Sequence, residues 1–261
     1  SLVLMAIGLL GIGYGFLNAP KDIQEVEKIL ASESHEGHGE VKHESADEAH
    51  AVKASHEEVK DTNEATEHKE HLTHVLHQLQ NKPWAALYVA CIFFMLLSMG
   101  VLAFYAIQQV ALAGWSPVLF RVMQGITAYL PVGSVIFFVI LILCGLHFNH
   151  LFAWLVEGVT DPTSPNFDKI IAGKSGYLNF PFWIVRAAVF LTGWNLYRYY
   201  SRKNCLAQDE ATDDAFYKKN FNITAGFLVF FIVTESIMSW DWIMSIDPHW
   251  SSTLFGWYVF A

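Results

Sequence analysis

The sequence predicts an all-α integral membrane protein. We expect a polytopic helical bundle: an up-down four-helix bundle, a peripheral first helix and the start of a sixth span. Three observations predict this class. Hydrophobic residues make up 53% of the 261-residue chain and charged residues only 16%. Apolar runs of about twenty residues, the length that crosses a hydrocarbon core, recur along the chain. Aromatic residues collect at the ends of these runs, as in an interfacial belt.

The elements follow one another in a simple order. Residues 1–17 are predicted to be a first transmembrane helix, and residues 18–82 an acidic, His-rich extracytoplasmic insert with amphipathic ends. Residues 83–243 are predicted to form the transmembrane bundle, and residues 244–261 an outer turn and the start of a sixth span. The four spans of the bundle are expected at residues 84–110, 126–156, 180–200 and 221–243. The first of them is expected to begin at Pro83, because proline is tolerated in the first turn of a helix. Both chain ends lie within apolar runs, so we expect the chain to continue beyond them.

The charged residues are concentrated in the insert. Residues 18–82 hold 15 of the 25 acidic residues and 7 of the 16 basic ones, so they account for nearly all of the net charge of −9. The remainder is nearly neutral, and nucleic acid is not an expected partner. Residues 32–70 are expected to be poorly ordered. Residues 22–30 and 71–80 have apolar positions at helical spacing and are expected to be amphipathic helices.

The insert also holds nine of the twelve histidines. They are His35, His38, His43, His50, His56, His68, His71, His74 and His77. A divalent metal could bind such a tract, but the histidines have no fixed repeat, which favours a solvated segment. The three cysteines, Cys91, Cys144 and Cys205, are isolated, without Cys-x-x-Cys spacing. We therefore expect no haem or iron–sulfur cluster and no metal bound by this chain.

The loop charges predict an orientation. Five Lys and Arg residues surround the connection at residues 201–220, against two in residues 157–179. Positive charge favours the cytoplasmic side, so residues 201–220 are predicted to lie in the cytoplasm. The N-terminus is then cytoplasmic, and the insert and the turn after residue 243 are extracytoplasmic.

The most informative ionisable residue is Glu235, in the middle of the fifth predicted span. A charged side chain at the centre of a bilayer costs about 2.5–3.5 kcal/mol on insertion scales and usually marks an ion or proton pathway. Carboxylates and imidazoles exchange protons, and hydroxyl groups bridge gaps between them. These residue types predict a proton path through the bundle. Its candidate members are Glu235, Asp241, His147, His150, Arg186, Ser239, Thr234, Asp247 and His249.

Structural roles compete with this interpretation for several candidates. Arg186 is expected either to pair with Glu235 or Asp241 or to extend to the interface. His147, His150 and Trp154 are expected to share a helical face, where the histidines serve as interfacial or capping groups. A bis-histidine haem is disfavoured because such ligands generally come from facing helices. Aspartates flanking turns are common without any function.

Five stretches of sequence resemble a known family. They are residues 77–84 (HQLQNKPW), 113–116 (AGWS), 130–133 (LPVG), 176–182 (GYLNFPF, followed by Arg186) and 241–250 (DWIMSIDPHW). Together they resemble the ActF-type membrane subunit of bacterial alternative complex III, in the wider NrfD and polysulfide-reductase-C membrane family. The resemblance covers most of the chain apart from the insert.

The resemblance implies a ten-helix subunit with two four-helix bundles, of which this chain holds the first. It implies that the protein lies in the bacterial inner membrane. It also implies that the protein belongs to a complex that oxidises a quinol and passes electrons to cytochrome c or a terminal oxidase. The implied partners are membrane lipid, a sister NrfD-like subunit, a multihaem cytochrome c and an iron–sulfur subunit. Haem c, iron–sulfur clusters and quinol are then expected in partner subunits, and no quinone ligand or catalytic residue is assigned here.

The function expected from the sequence is a membrane subunit of a quinol oxidoreductase complex with a proton-conducting path. Two alternatives stay open. One is a passive membrane scaffold whose insert docks extracytoplasmic partners. The other is an independent ion or solute transporter, for which broken helices in paired repeats would be expected.

Overall fold

The computed structural model describes residues 2–36 and 57–260. It is 76% helical, and the described residues contain no strand. The α-helices in these ranges are α1 (Leu2–Leu17), α2 (Ile23–Glu36), α3 (Glu57–Val110), α4 (Phe120–Ile126), α5 (Tyr129–Gly145), α6 (Lys169–Lys174), α7 (Phe180–Glu210), α8 (Ala215–Trp242) and α9 (Phe255–Phe260). Short 3-10 helices lie at Ser116–Leu119, Ala153–Leu155 and Met244–Ile246. The prediction of an all-α fold is confirmed.

The described residues fall into two compact units, Ser1–Ala85 and Ala86–Ala261. In the first unit the end of α1 packs on α3, where the rings of Phe16 and Trp84 meet edge to face at 4.9 Å. The Gln80 side chain also donates a hydrogen bond to the Pro20 carbonyl oxygen at 3.1 Å.

An aromatic core joins the helices of the second unit. The ring of Phe137 on α5 lies 5.5 Å from that of Tyr88 on α3 and 4.8 Å from that of Trp242 on α8. The ring of Trp194 on α7 also meets that of Trp242 edge to face, with centroids 5.8 Å apart. Trp183, also on α7, is fully buried. Aromatic pairs in such edge-to-face geometry add about 0.5–1.5 kcal/mol each beyond the area they bury.

Among the residues that the structure describes, three helical segments are long and apolar enough to cross a membrane, which indicates a membrane protein. They are Val75–Val110, Ser116–Gly145 and Ala215–Ile246. The predicted spans at residues 1–17 and 180–200 are helical but are not among them. In α7 the polar side chains of Arg186 and Asn195 and its tryptophans lower the mean hydropathy.

Helix α3 is longer than the sequence predicted. It does not begin at Pro83 but contains it, and it starts at Glu57, within residues expected to be poorly ordered. Proline inside a helix removes one backbone hydrogen bond, but the remaining helix continues on both sides. The central part of the insert, residues 37–56, lies outside the described residues, as do the predictions made for it.

The charged connection predicted at residues 201–220 is much shorter in the structure. Helix α7 continues to Glu210 and α8 begins at Ala215, so four residues join them. The charged residues of this segment are compatible with helix, because Lys, Arg, Glu and Gln are good helix formers.

The predicted span at residues 126–156 is wrong at its C-terminal end. Helix α5 stops at Gly145, and His147 adopts a left-handed conformation with φ of 60°. The His147 amide donates to the Cys144 carbonyl and the Phe148 amide donates to the Leu143 carbonyl, both at 3.2 Å. This is the hydrogen-bond pattern of a Schellman motif, which closes a helix.

Candidate functional site

A buried ion pair lies at the C-terminal end of α8. The Asp241 carboxylate accepts from Arg186 Nε at 2.6 Å and from Arg186 Nη2 at 2.9 Å. The Asp241 side chain is 0% exposed and that of Arg186 9%. The two-pronged geometry matches the planar guanidinium to the carboxylate. Of the two partners expected for Arg186, the structure selects Asp241.

The rest of the Arg186 guanidinium is also occupied. Both terminal nitrogens donate to the Tyr177 carbonyl oxygen at 3.2 and 3.3 Å. The guanidinium carbon lies 4.0 Å from the centre of the Tyr177 ring and 4.2 Å from that of Phe182. These contacts hold the cation among aromatic faces, which attract positive charge.

The last backbone carbonyls of α8 find side-chain donors. The Asp241 carbonyl oxygen accepts from Trp183 Nε1 at 2.9 Å and from Ser245 Oγ at 2.6 Å. The Trp242 carbonyl oxygen accepts from the Tyr88 hydroxyl at 2.6 Å. Helix ends leave such carbonyls without intrahelical partners, so side chains of α3, α7 and the 3-10 helix that follows α8 complete this helix end.

Glu235 lies on α8, about a turn and a half before Asp241. Its side chain is buried, with 4% of the residue exposed, and one carboxyl oxygen (Oε1) has no hydrogen-bond partner among the described residues. No basic side chain pairs with it in the described ion pairs. A buried carboxyl group without a full set of partners is costly. Glu235 therefore differs from Asp241, whose two oxygens are both engaged.

The hydroxyl groups near Glu235 are bound to the helix backbone. Thr234 Oγ1 accepts from Trp194 Nε1 at 3.0 Å and donates to the Phe230 carbonyl at 2.9 Å. Ser239 Oγ donates to the Ser236 carbonyl at 2.7 Å. Thr234 directly precedes Glu235, Ser239 follows it by four residues, and both are buried on α8. Each hydroxyl can relay a proton only after its hydrogen bond to a backbone carbonyl of α8 is broken.

The two histidines after α5 are not arranged as the sequence predicted. His147, His150 and Trp154 do not share a helical face, because α5 ends at Gly145 and Trp154 belongs to a separate 3-10 helix. Both histidines are exposed, while Asn149 between them is buried. The structure therefore does not bring them together with Glu235 on one helical surface.

The turn after α8 carries a second polar group. His249 Nε2 lies 2.6 Å from Asp168 Oδ2, and His249 Nδ1 lies 3.8 Å from Asp247 Oδ1. Asp168 also caps α6, because its Oδ1 accepts from the Ile170 and Ile171 amides at 2.7 and 3.1 Å. These hydrogen bonds, that from Ile171 first, lower the pKa of the Asp168 carboxyl below its usual value. Asp247 and His249 thus belong to one loop cluster with Asp168.

Sequence reasoning missed a polar cluster around the buried Tyr105 hydroxyl. This oxygen lies 3.1 Å from Ser201 Oγ and accepts from Asn220 Nδ2 at 3.3 Å and Gln124 Nε2 at 3.4 Å. The neighbouring side chains of Gln109, Asn204 and Asn220 line a cavity of about 320 Å³. The only signal in the sequence was a set of Asn and Gln residues close to apolar runs. Asn and Gln are mostly exposed in proteins, so their presence did not indicate a buried cluster.

Comparison with known proteins adds no family to this description. No protein-family model matches the chain, and no curated protein matches it significantly.

Proposed function

We propose that this chain is an integral membrane subunit of a quinol oxidoreductase complex of the bacterial inner membrane, and that its helical bundle conducts protons through Glu235. The proposal takes α3, α5, α7 and α8 as an up-down four-helix bundle, with the Asp168–His249 cluster on the extracytoplasmic side. It draws on the resemblance of five sequence stretches to the ActF-type subunit. Quinol, haem c and iron–sulfur clusters would belong to partner subunits.

The observation that carries the proton role is the state of Glu235. Glu235 is buried in a segment apolar enough to cross a membrane, and one of its oxygens has no partner within residues 2–36 and 57–260, an arrangement that is costly to retain. Water entering beside it would supply the missing hydrogen bond and allow proton exchange. Glu235 can therefore take up a proton and release it without first breaking an ion pair.

The other candidates receive different roles in this proposal. Arg186 and Asp241 form a clamp that fixes the end of α8, and Arg186 does not exchange its proton, because the guanidinium stays charged. Asp247 and His249 offer groups at the membrane edge where protons can leave. Thr234 and Ser239 would relay protons only after turning from their backbone acceptors.

The test is the variant Glu235→Gln in the assembled complex, reconstituted in vesicles. We expect proton release coupled to quinol oxidation to slow on the order of 100-fold, the lower end of what a positioned acid or base contributes. Assembly should be unchanged, since glutamine has the same shape. The matched control is Glu157→Gln, the same chemical change on an exposed loop residue. Full coupled activity in Glu235→Gln would reject the proton role.

A passive membrane scaffold is the second candidate, favoured by the buried Arg186–Asp241 pair. This pair is fully engaged and needs no movement of protons. If the scaffold alone is correct, Glu235→Gln leaves coupled activity intact while loss of the clamp impairs assembly. The partners that co-purify with the full chain test the class in both cases: a multihaem cytochrome c and an iron–sulfur protein are expected.

A further inference from the structure

A groove of about 570 Å³ runs between α5 and α7, and its lining residues include neither Glu235 nor the Arg186–Asp241 pair. Its walls are mostly apolar and include Val135 and Phe138 of α5 and Leu191 and Leu196 of α7. The α5 wall belongs to the candidate membrane span Ser116–Gly145. The volume falls within the range of about 300–1,000 Å³ that is typical of ligand sites.

The groove is polar at one end. Asn195, Arg198 and Tyr199 line it there. Asn195 Nδ2 donates to Ser134 Oγ at 2.8 Å and to the Leu191 carbonyl at 2.7 Å, while its buried Oδ1 has no partner among the described residues. The site therefore combines an apolar channel with polar groups at a single end.

Two arginines lie at or next to this end: Arg198 lines the groove, and Arg202 shares a neighbouring small cavity with Arg198. The two residues lie one helical turn apart on α7. Arg198 Nε donates to Thr127 Oγ1 at 3.3 Å. In the part of the chain that the structure describes, neither guanidinium pairs with a carboxylate. Like charges at this spacing repel each other, so a bound anion would stabilise this turn of α7.

We propose that the groove binds an anionic phospholipid, with an acyl chain between α5 and α7 and the phosphate at Arg198 and Arg202. Basic pockets between membrane helices on the cytoplasmic side are known to hold anionic lipid headgroups, and the loop charges place this end there. The α7 wall extends from Ala188 to Tyr199, which is roughly 16 Å of helix and suits an extended chain. A free phosphate would use the arginines but leave the apolar groove empty.

The test uses the full chain purified in detergent and dioleoyl phosphatidylglycerol or dioleoyl phosphatidylcholine as probes. Lipid retention is measured by native mass spectrometry. We expect phosphatidylglycerol to be preferred, and the double variant Arg198→Gln/Arg202→Gln to reduce that preference about tenfold or more, because charge-assisted hydrogen bonds are lost. Lys218→Gln/Lys219→Gln is the matched control, since it removes the same charge from exposed positions on α8.

A second variant tests the acyl-chain site. Ala188→Phe places a ring in the groove, and we expect it to reduce retention of both lipids. The proposal is overturned if the arginine variant keeps its preference, or if Ala188→Phe retains both lipids as the parent chain does. It is also overturned if inorganic phosphate alone displaces phosphatidylglycerol completely, because the site then binds a free anion.

Discussion

At the scale of single residues, two buried acids on one helix have opposite surroundings. Asp241 is paired, hydrogen-bonded and fully enclosed. Glu235 is buried with an oxygen left without a partner among the described residues. The first arrangement favours a permanent charge and a fixed structure. The second favours a group whose charge changes, which is why the two acids have different roles in our account.

Asp241→Asn should destabilise the protein strongly. The substitution leaves the Arg186 cation buried without its counter-charge, which typically costs about 3–5 kcal/mol in the free energy of unfolding. Denaturant or thermal unfolding in detergent measures this. Asp247→Asn, whose side chain is 69% exposed, is the control and should change stability by no more than about 0.5 kcal/mol.

The double variant Arg186→Met/Asp241→Leu separates charge from packing. It removes both charges, and such replacements are often neutral or stabilising, so it should recover most of the stability lost in Asp241→Asn. If Asp241→Asn and Asp247→Asn lower the free energy of unfolding equally, the Arg186–Asp241 pair does not stabilise the protein as we propose.

Asp168 gives a pH dependence outside the membrane segments. Its folded-state pKa is lowered by the amide hydrogen bonds of α6, so its stabilisation is present above its unfolded pKa of about 3.9 and disappears as the pH falls through the folded value. We expect the amides of Ile170 and Ile171 to lose hydrogen-exchange protection over that acidic range, after correction for intrinsic exchange. Asp168→Asn keeps a capping oxygen that does not titrate. The same acid-induced loss in that variant would argue against Asp168 as the cause.

At the scale of secondary structure, α7 and α8 approach each other closely at a glycine. A Cβ atom on Gly193 would overlap the ring of Phe230 on α8, at 2.5 Å from its nearest atoms, whereas one on Gly226 would meet no atom within 4 Å. Both glycines lie inside helices. Alanine has the higher helix propensity by about 1 kcal/mol, so packing decides the sign at each position.

In Gly193→Ala, overpacking against Phe230 should cost about 1–3 kcal/mol in the free energy of unfolding, which offsets or exceeds the gain in helix propensity of about 1 kcal/mol. Gly226→Ala meets no such overlap and should be neutral or stabilising. Thermal unfolding of the two variants in the same detergent makes the comparison. If both substitutions stabilise the protein to the same extent, the Phe230 ring moves freely and the close approach is not a constraint.

The long apolar helices were predictable from the sequence, but their ends, and the short helices α4 and α6 in the connections between them, were not. The spans containing Leu102, Phe137 and Phe231 follow from long apolar runs. The end of α5 depends on His147 entering a left-handed conformation, which non-glycine residues seldom adopt, so no strong sequence signal marked it. The extension of α7 and α8 beyond their apolar parts was not predicted. A change from apolar to polar residues indicates where a chain leaves the membrane, but the helix can continue beyond that point.

The candidate site was predictable only in part for a similar reason. Glu235 and Arg186 were visible as charges within apolar runs. The choice of Asp241 as the partner of Arg186 depends on the relative rotation of α7 and α8, and the contact between His249 and Asp168 joins residues 81 positions apart. Such pairings follow from tertiary packing, which spacing along one chain does not determine.

At the scale of the whole molecule, the second unit has an aromatic core that closes one end of the helices around the Arg186–Asp241 pair. Trp183, Trp194 and Trp242 are fully buried there. The Asp241 side chain is fully enclosed there and that of Arg186 is 9% exposed, so in our account water reaches Glu235 along another route within the unit. The lipid site proposed between α5 and α7 lies on the outer surface of the same helices and is independent of the proton role.

The central claim is that Glu235 exchanges a proton within the membrane segment. Infrared difference spectroscopy of the assembled complex, recorded upon quinol addition, measures this directly through the protonated-carboxyl band. We expect a band that shifts in deuterium oxide, is absent in Glu235→Gln and is retained in Glu157→Gln. A difference spectrum that is unchanged by Glu235→Gln would contradict the account.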